Sequence, residues 1–174
     1  MSERVPVSRR EFAAAAAAAV GGLAVAPGHA SAQSAQNDGD VLRSELLMDI
    51  ELDTTAPHVL GTRQIVPVTG GTFSGPKLKG TALPGGGDWI VRRPDGASQL
   101  NVRVTLKTDD DQLIYLTYGG ILYAPPGQQG ALYWRTTPVF ETGAAKYEWL
   151  TRIVCVGVGR RVPGKAAYRI FQIL

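Results

Sequence analysis

The chain has 174 residues, 44% of them hydrophobic and 19% charged, with a formal net charge of +3 and one cysteine. That length suits one domain with a sizeable core. One cysteine excludes an internal disulfide, and two histidines exclude a His-rich metal site.

The first elements are an address. Ser8-Arg9-Arg10-Glu11-Phe12 sets two arginines before an aromatic residue, and an uncharged Ala-rich run follows from Ala13 to Val25. A twin-arginine export signal has this form. The run is shorter and less apolar than the roughly 20 residues a membrane span needs. Ala30-Ser31-Ala32 offers a small-x-small cleavage site, with cutting expected after Ala32. Residues 1–32 thus read as a signal peptide, 33–43 as a flexible linker and 44–174 as the domain. A periplasmic or otherwise exported protein is expected, with no stable membrane span after cleavage; a retained N-terminal anchor is the rival. The leader holds Arg4, Arg9 and Arg10 against Glu3 and Glu11, so of 18 basic and 15 acidic residues 15 and 13 remain. That near balance, with no basic run, argues against a nucleic-acid partner.

From Leu46 the chain alternates. Met48, Ile50 and Leu52 face one way and Asp49, Glu51 and Asp53 the other, as in a half-exposed strand. A second run spans Val59 to Val68, and Gly70-Gly71 predicts a turn before Thr72-Phe73-Ser74. Lys77 to Leu83 form a short strand, Pro84 to Gly87 a loop, and Asp88 to Arg93 a further strand ending at the Pro94-Asp95-Gly96 turn. Gln99 to Lys107 alternates cleanly, Asp109-Asp110-Asp111 marks a hairpin tip, and Leu113 to Tyr123 runs back. After a loop at Ala124 to Gly130, strands are predicted around Tyr133 to Glu141, Tyr147 to Gly157 and Ala167 to Leu174. Many short strands with Gly and Pro turns predict an all-β antiparallel barrel of about eight to ten strands. A last strand pairing with the first closes it.

Several strings spaced through this domain carry a resemblance. They include Gly70-Gly71-Thr72-Phe73-Ser74-Gly75-Pro76, Pro84-Gly85-Gly86-Gly87-Asp88-Trp89, Leu100-Asn101-Val102-Arg103, Tyr118-Gly119-Gly120 and Tyr133-Trp134-Arg135-Thr136-Thr137-Pro138-Val139-Phe140-Glu141-Thr142. The domain resembles the DUF3237 (UPF0311) family. Asn101, Gly119 and Thr151 depart from that family's pattern. The resemblance implies a compact β-barrel with an internal cavity, often assembled as a homo-oligomer, and assigns almost no biochemical role.

Asp88-Trp89 after three glycines is the first candidate site, a carboxylate beside an apolar wall whose protonation desolvation can tune. The competing reading has Asp88 capping a turn and Trp89 filling the barrel end. Arg63, Arg103 and Arg135 form an anion-binding pocket if they point inward and are solvated charges if they point outward. Tyr118 and Tyr147 are candidate proton donors, and Glu141 is a candidate base or, preferably, an arginine's ion-pair partner. Cys155, in an apolar run, reads as an inert buried thiol, and His58 as exposed. These residues lead to a cofactor-independent lyase, isomerase or hydratase acting on a small aromatic or carbonyl-bearing molecule. Asp88 is its acid/base, Tyr118 its proton donor, and Arg63 or Arg135 its anion stabiliser; no metal is expected. Trp89, Arg103 and Glu141 join the ligand-binding set. The alternatives are a periplasmic module that binds a small apolar or aromatic ligand without chemistry, and a purely structural oligomer.

Overall fold

A computed structural model of the chain describes residues 41–174. The predicted signal peptide and nearly all of the linker lie outside the described residues. The strands are β1 (Ser44–Thr54), β2 (His58–Leu60), β3 (Arg63–Ser74), β4 (Lys79–Ala82), β5 (Gly86–Arg92), β6 (Ser98–Thr108), β7 (Leu113–Tyr123), β8 (Tyr133–Glu141), β9 (Cys155–Val162) and β10 (Lys165–Ile173). A 3₁₀ segment, Ala145–Arg152, separates β8 from β9.

All pairings are antiparallel, and β1 closes the sheet by pairing with both β10 and β3. β4 and β5 share one stave, since both bridge β3 and β6. The result is a closed eight-stranded barrel with two extra strands. Closure leaves β2 as a three-residue hairpin partner of β3, too short to template aggregation.

Alternation decides the core. Met48, Ile50 and Leu52 of β1 pack inward with Val102, Val104 and Leu106 of β6 and Ile114 and Leu116 of β7, all at most 2% exposed. Asp49, Glu51 and Asp53 point outward and meet Arg160, Lys165 and Arg169 in a surface ladder, with Lys165 2.9 Å from Asp53. Such exposed pairs stabilise little, about 0–1 kcal/mol each. Their larger consequence is that the strand cannot slip by one residue without burying three carboxylates.

Two expectations are corrected. Gly70-Gly71 is not a turn: β3 runs through it opposite Leu52 and Asp53, with a register shift between Asp53 and Thr54. The glycines let strands approach there. A Cβ on Gly71, at φ +145°, would lie 2.3 Å from the Glu51 carbonyl oxygen. Tyr147 to Gly157 is not one strand either; its first half is the 3₁₀ segment and β9 begins at Cys155.

That segment buries Tyr147 and Leu150 at the end of the barrel where β6 turns into β7. Asp110 of this turn accepts hydrogen bonds from Thr108 Oγ1 (2.6 Å) and Tyr147 Oη (2.8 Å) and binds Lys146 Nζ (2.5 Å). The Lys146 bond chiefly, with the other two, holds the Asp110 carboxyl well below the usual carboxylate range. Tyr147 is therefore a structural latch and not a donor in the cavity. Cys155 is buried, which pushes its thiol up to about 11.

Gly71→Ala should cost about 2–4 kcal/mol of unfolding free energy, because the clash is with backbone and the φ is strained. Gly70→Ala, whose nearest neighbour is 3.8 Å away, should cost less than about 1 kcal/mol. Urea unfolding of both variants checks the contrast.

Candidate functional site in the barrel interior

Strand parity sends Asp88 inside the barrel and Trp89 outside it. Asp88 is paired laterally with Val102, and Val102 with Tyr118, so the three occupy one inner row across β5, β6 and β7. Together with Trp134 of β8 and Tyr168 of β10 they line a cavity of about 190 Å³. Its remaining walls are largely apolar, from Val66, Val68, Ile90, Leu100 and Leu122. It lies at the end of the barrel opposite the 3₁₀ segment. Asp88 and Tyr118, the two proposed proton-transfer groups, thus line one space.

Asp88 Oδ1 accepts the Asn101 amide N–H at 2.9 Å, which leaves the second carboxyl oxygen for another task. The aspartate does bond a backbone amide, as the competing reading held, yet it faces the cavity. Burial pushes its carboxyl from 3.8 up to about 6, with the Asn101 bond opposing. Lys165 also lines the cavity, but Asp53 and Glu51 hold its ammonium at 2.9 and 3.7 Å. The carboxyl is raised because it has lost water without gaining a cation.

Tyr118 and Tyr168 are both held above the usual phenol range, by burial first, and each is raised further by the Asp88 charge. The polar tips of Tyr118, Tyr168 and Trp134 are near enough to perturb one another. Even so, among the described residues Tyr118 Oη and Trp134 Nε1 have no partner at hydrogen-bonding geometry. Trp134 and Tyr168 were missed by sequence reasoning. The signal was the parity of β8, which places Trp134 in line with buried Thr136 and Phe140.

The remaining candidates sit on the outer face. Arg63, Trp89 and Arg103 line an open groove of about 630 Å³ with Asn101, Thr117 and Gly119, and the Arg103 guanidinium lies 5.1 Å from the Trp89 ring. Arg135 stacks outside on Tyr133 at 5.4 Å. None of the three arginines reaches the barrel interior, and Trp89 does not fill the barrel end. Glu141 is exposed on the outer side of β8, opposite Tyr115, and forms no ion pair across the barrel. His58 is exposed. The groove is larger than the cavity, but its charges are solvated. The partly desolvated carboxylate is inside.

Below pH 3.8 the Asp88 carboxyl is neutral in both the folded and the unfolded chain. As pH rises from about 4 through about 6 the unfolded chain ionises first, so the folded state loses stability, by about 3 kcal/mol at neutral pH. Asp88→Asn keeps an oxygen for the Asn101 amide and removes this loss. Its stability relative to wild type should therefore grow by about 2–3 kcal/mol between pH 4 and pH 7.5 in urea titrations. An unchanged difference across that range would contradict the assigned burial.

The sequence pattern of the DUF3237 family, described as a protein of unknown function, matches residues 41–173. A UPF0311 protein of Clostridium acetobutylicum is 32% identical over 126 residues, covering 66% of this chain and 80% of the relative. The UPF0311 protein RPA1785 of Rhodopseudomonas palustris is 31% identical over 135 residues, or 70% and 88% of the two chains. A solved β-barrel-like protein of Acinetobacter baumannii superposes with a TM-score of 0.73 at 32% identity, covering 80% of this chain and all of that one. A solved Clostridium acetobutylicum protein of unknown function gives 0.72 at 30% identity, covering 77% and 98%. An enzyme from Penicillium herquei, at 21% identity and a TM-score of 0.61 over 76% of this chain and 95% of that one, shares the fold. With its barrel and nearly all of its described length accounted for, this chain belongs to the DUF3237 family of β-barrel proteins of unknown function.

Proposed function

We propose that the domain is a cofactor-independent enzyme that moves a proton on a small carbonyl-bearing or aromatic molecule held inside the barrel. The observation that carries this reading is Asp88, a half-buried carboxyl with no ion pair among the described residues, lining a cavity together with Tyr118. A carboxyl near 6 is mostly ionised at neutral pH yet easily reprotonated, which suits both removal and return of a proton. Asp88 is the base, through the oxygen that Asn101 leaves unused. Tyr118 donates a hydrogen bond to the oxygen on which charge develops, between largely apolar walls that strengthen it. The arginines, being outside, take no part in this step, and Tyr118 supplies the stabilisation first sought from Arg63 or Arg135. Double-bond isomerisation and β-elimination, including the dehydration direction of a hydratase, can each begin with this proton transfer.

Isomerisation of cyclohex-3-enone to cyclohex-2-enone is a minimal test. The purified domain should accelerate it above buffer, with a rate that rises as pH passes through about 6. Asp88→Asn should lower the rate at least ~10²-fold and Tyr118→Phe about tenfold or more. Ligand retention with no turnover, unchanged in Asp88→Asn, would favour a binding module instead.

We propose further that the protein is exported by the twin-arginine route, on the strength of Arg9-Arg10, the Ala-rich run and Ala30-Ser31-Ala32. Replacing both arginines by lysine should hold the chain in the cytoplasm in fractionation experiments. N-terminal sequencing of the exported wild type should begin at Gln33.

A further inference from the structure

The interior holds two buried donors, Tyr118 Oη and Trp134 Nε1. Among the described residues neither reaches an acceptor at hydrogen-bonding geometry, although the Tyr168 hydroxyl lies near both. Both rings pack edge-on against Tyr168, at centroid distances of 5.2 and 5.0 Å. These three residues line the same cavity. The arrangement is built in. Gly159 is the register partner of Tyr168, and a Cβ there would lie 2.1 Å from the Trp134 indole. An unpaired buried donor destabilises the fold, because it has given up water and gained no partner. Two such donors in one small space are compensated when a ligand brings an acceptor oxygen to them.

Size and charge narrow that ligand. Apolar cavities of roughly 150 Å³ admit benzene, so a space of about 190 Å³ admits one six-membered ring with a small substituent. A ligand carboxylate would face Asp88 without a free cation, because Asp53 and Glu51 engage Lys165. We infer that the interior takes a neutral, single-ring carbonyl compound whose oxygen accepts hydrogen bonds from Tyr118 Oη and Trp134 Nε1. This names the substrate class of the reaction proposed above and rests on the same cavity.

Acetophenone, ethylbenzene and benzoate test it by calorimetry at pH 7.5. The first two have nearly the same shape, and only acetophenone carries the acceptor. Acetophenone should bind at least about tenfold more tightly than ethylbenzene, as about 1.4 kcal/mol from the two bonds implies. Benzoate should bind more weakly than acetophenone. Tyr118→Phe and Trp134→Phe should each reduce the acetophenone preference to about threefold or less. In wild-type protein the Trp134 indole N–H proton resonance should move downfield on adding acetophenone and stay in place with ethylbenzene. Equal binding of the two, tighter binding of benzoate, binding of none of the three, or an unmoved indole resonance would each overturn the assignment. Acetophenone preference without cyclohexenone turnover would remove the proposed reaction and leave the ligand class standing. Turnover without that preference would do the reverse.

Discussion

Closure of the sheet by β1 imposes one constraint on every strand: each residue is either inside or outside, and its neighbour takes the other side. Asp88 and Trp89 are adjacent in sequence and end on opposite faces of the wall, one in the cavity and one in the groove. The same parity separates Tyr118 from Thr117. The register then carries sidedness laterally, so that buried Val102 fixes Asp88 on one side of it and Tyr118 on the other as inward residues. The site is a consequence of register before it is a consequence of any local motif.

This constraint explains what could be read from the sequence. The alternation in β1 and β6 was explicit, and with the Gly and Pro turns it led to a closed antiparallel barrel. Asp88 and Tyr118 were legible because they flank or belong to patterned strands. The direction of Arg103 was also available in principle, since Leu100, Val102 and Val104 are its apolar neighbours by parity. It stayed ambiguous because an apolar exterior was equally consistent with an oligomeric barrel. The structure puts those apolar residues inside, at most 3% exposed, and Arg103 outside.

What was not legible has physical causes. A Gly-Gly pair signals a turn when read locally, but at Gly70-Gly71 the requirement is tertiary: backbone of β1 approaches where a Cβ would stand. The 3₁₀ segment Ala145–Arg152 carries no period-3.6 stripe. Its conformation is held by burial of Tyr147 and Leu150 and by the bond from Tyr147 to Asp110, a residue 37 positions earlier. Trp134 and Tyr168 look like core aromatics in sequence. That one carries an unpartnered donor next to the other is a property of four strands converging.

The two ends of the barrel show what distinguishes a structural carboxylate from a chemical one. Asp110 closes one end with three donors around it, and its charge is fully engaged; such a group is locked in the ionised form and has no proton to exchange near neutrality. Asp88 stands at the other end with a single backbone donor and, among the described residues, no ion pair, beside Tyr168 and two donors, Tyr118 Oη and Trp134 Nε1, that reach no partner at hydrogen-bonding geometry. Apolar residues would fill that inner row at lower cost, as Val102 does between Asp88 and Tyr118. Polar groups left this incompletely satisfied, gathered at one end of an otherwise apolar interior, lower the stability of the fold. The proposed ligand answers those deficits together: a small ring whose oxygen would meet the donors and whose acidic C–H would meet the carboxylate.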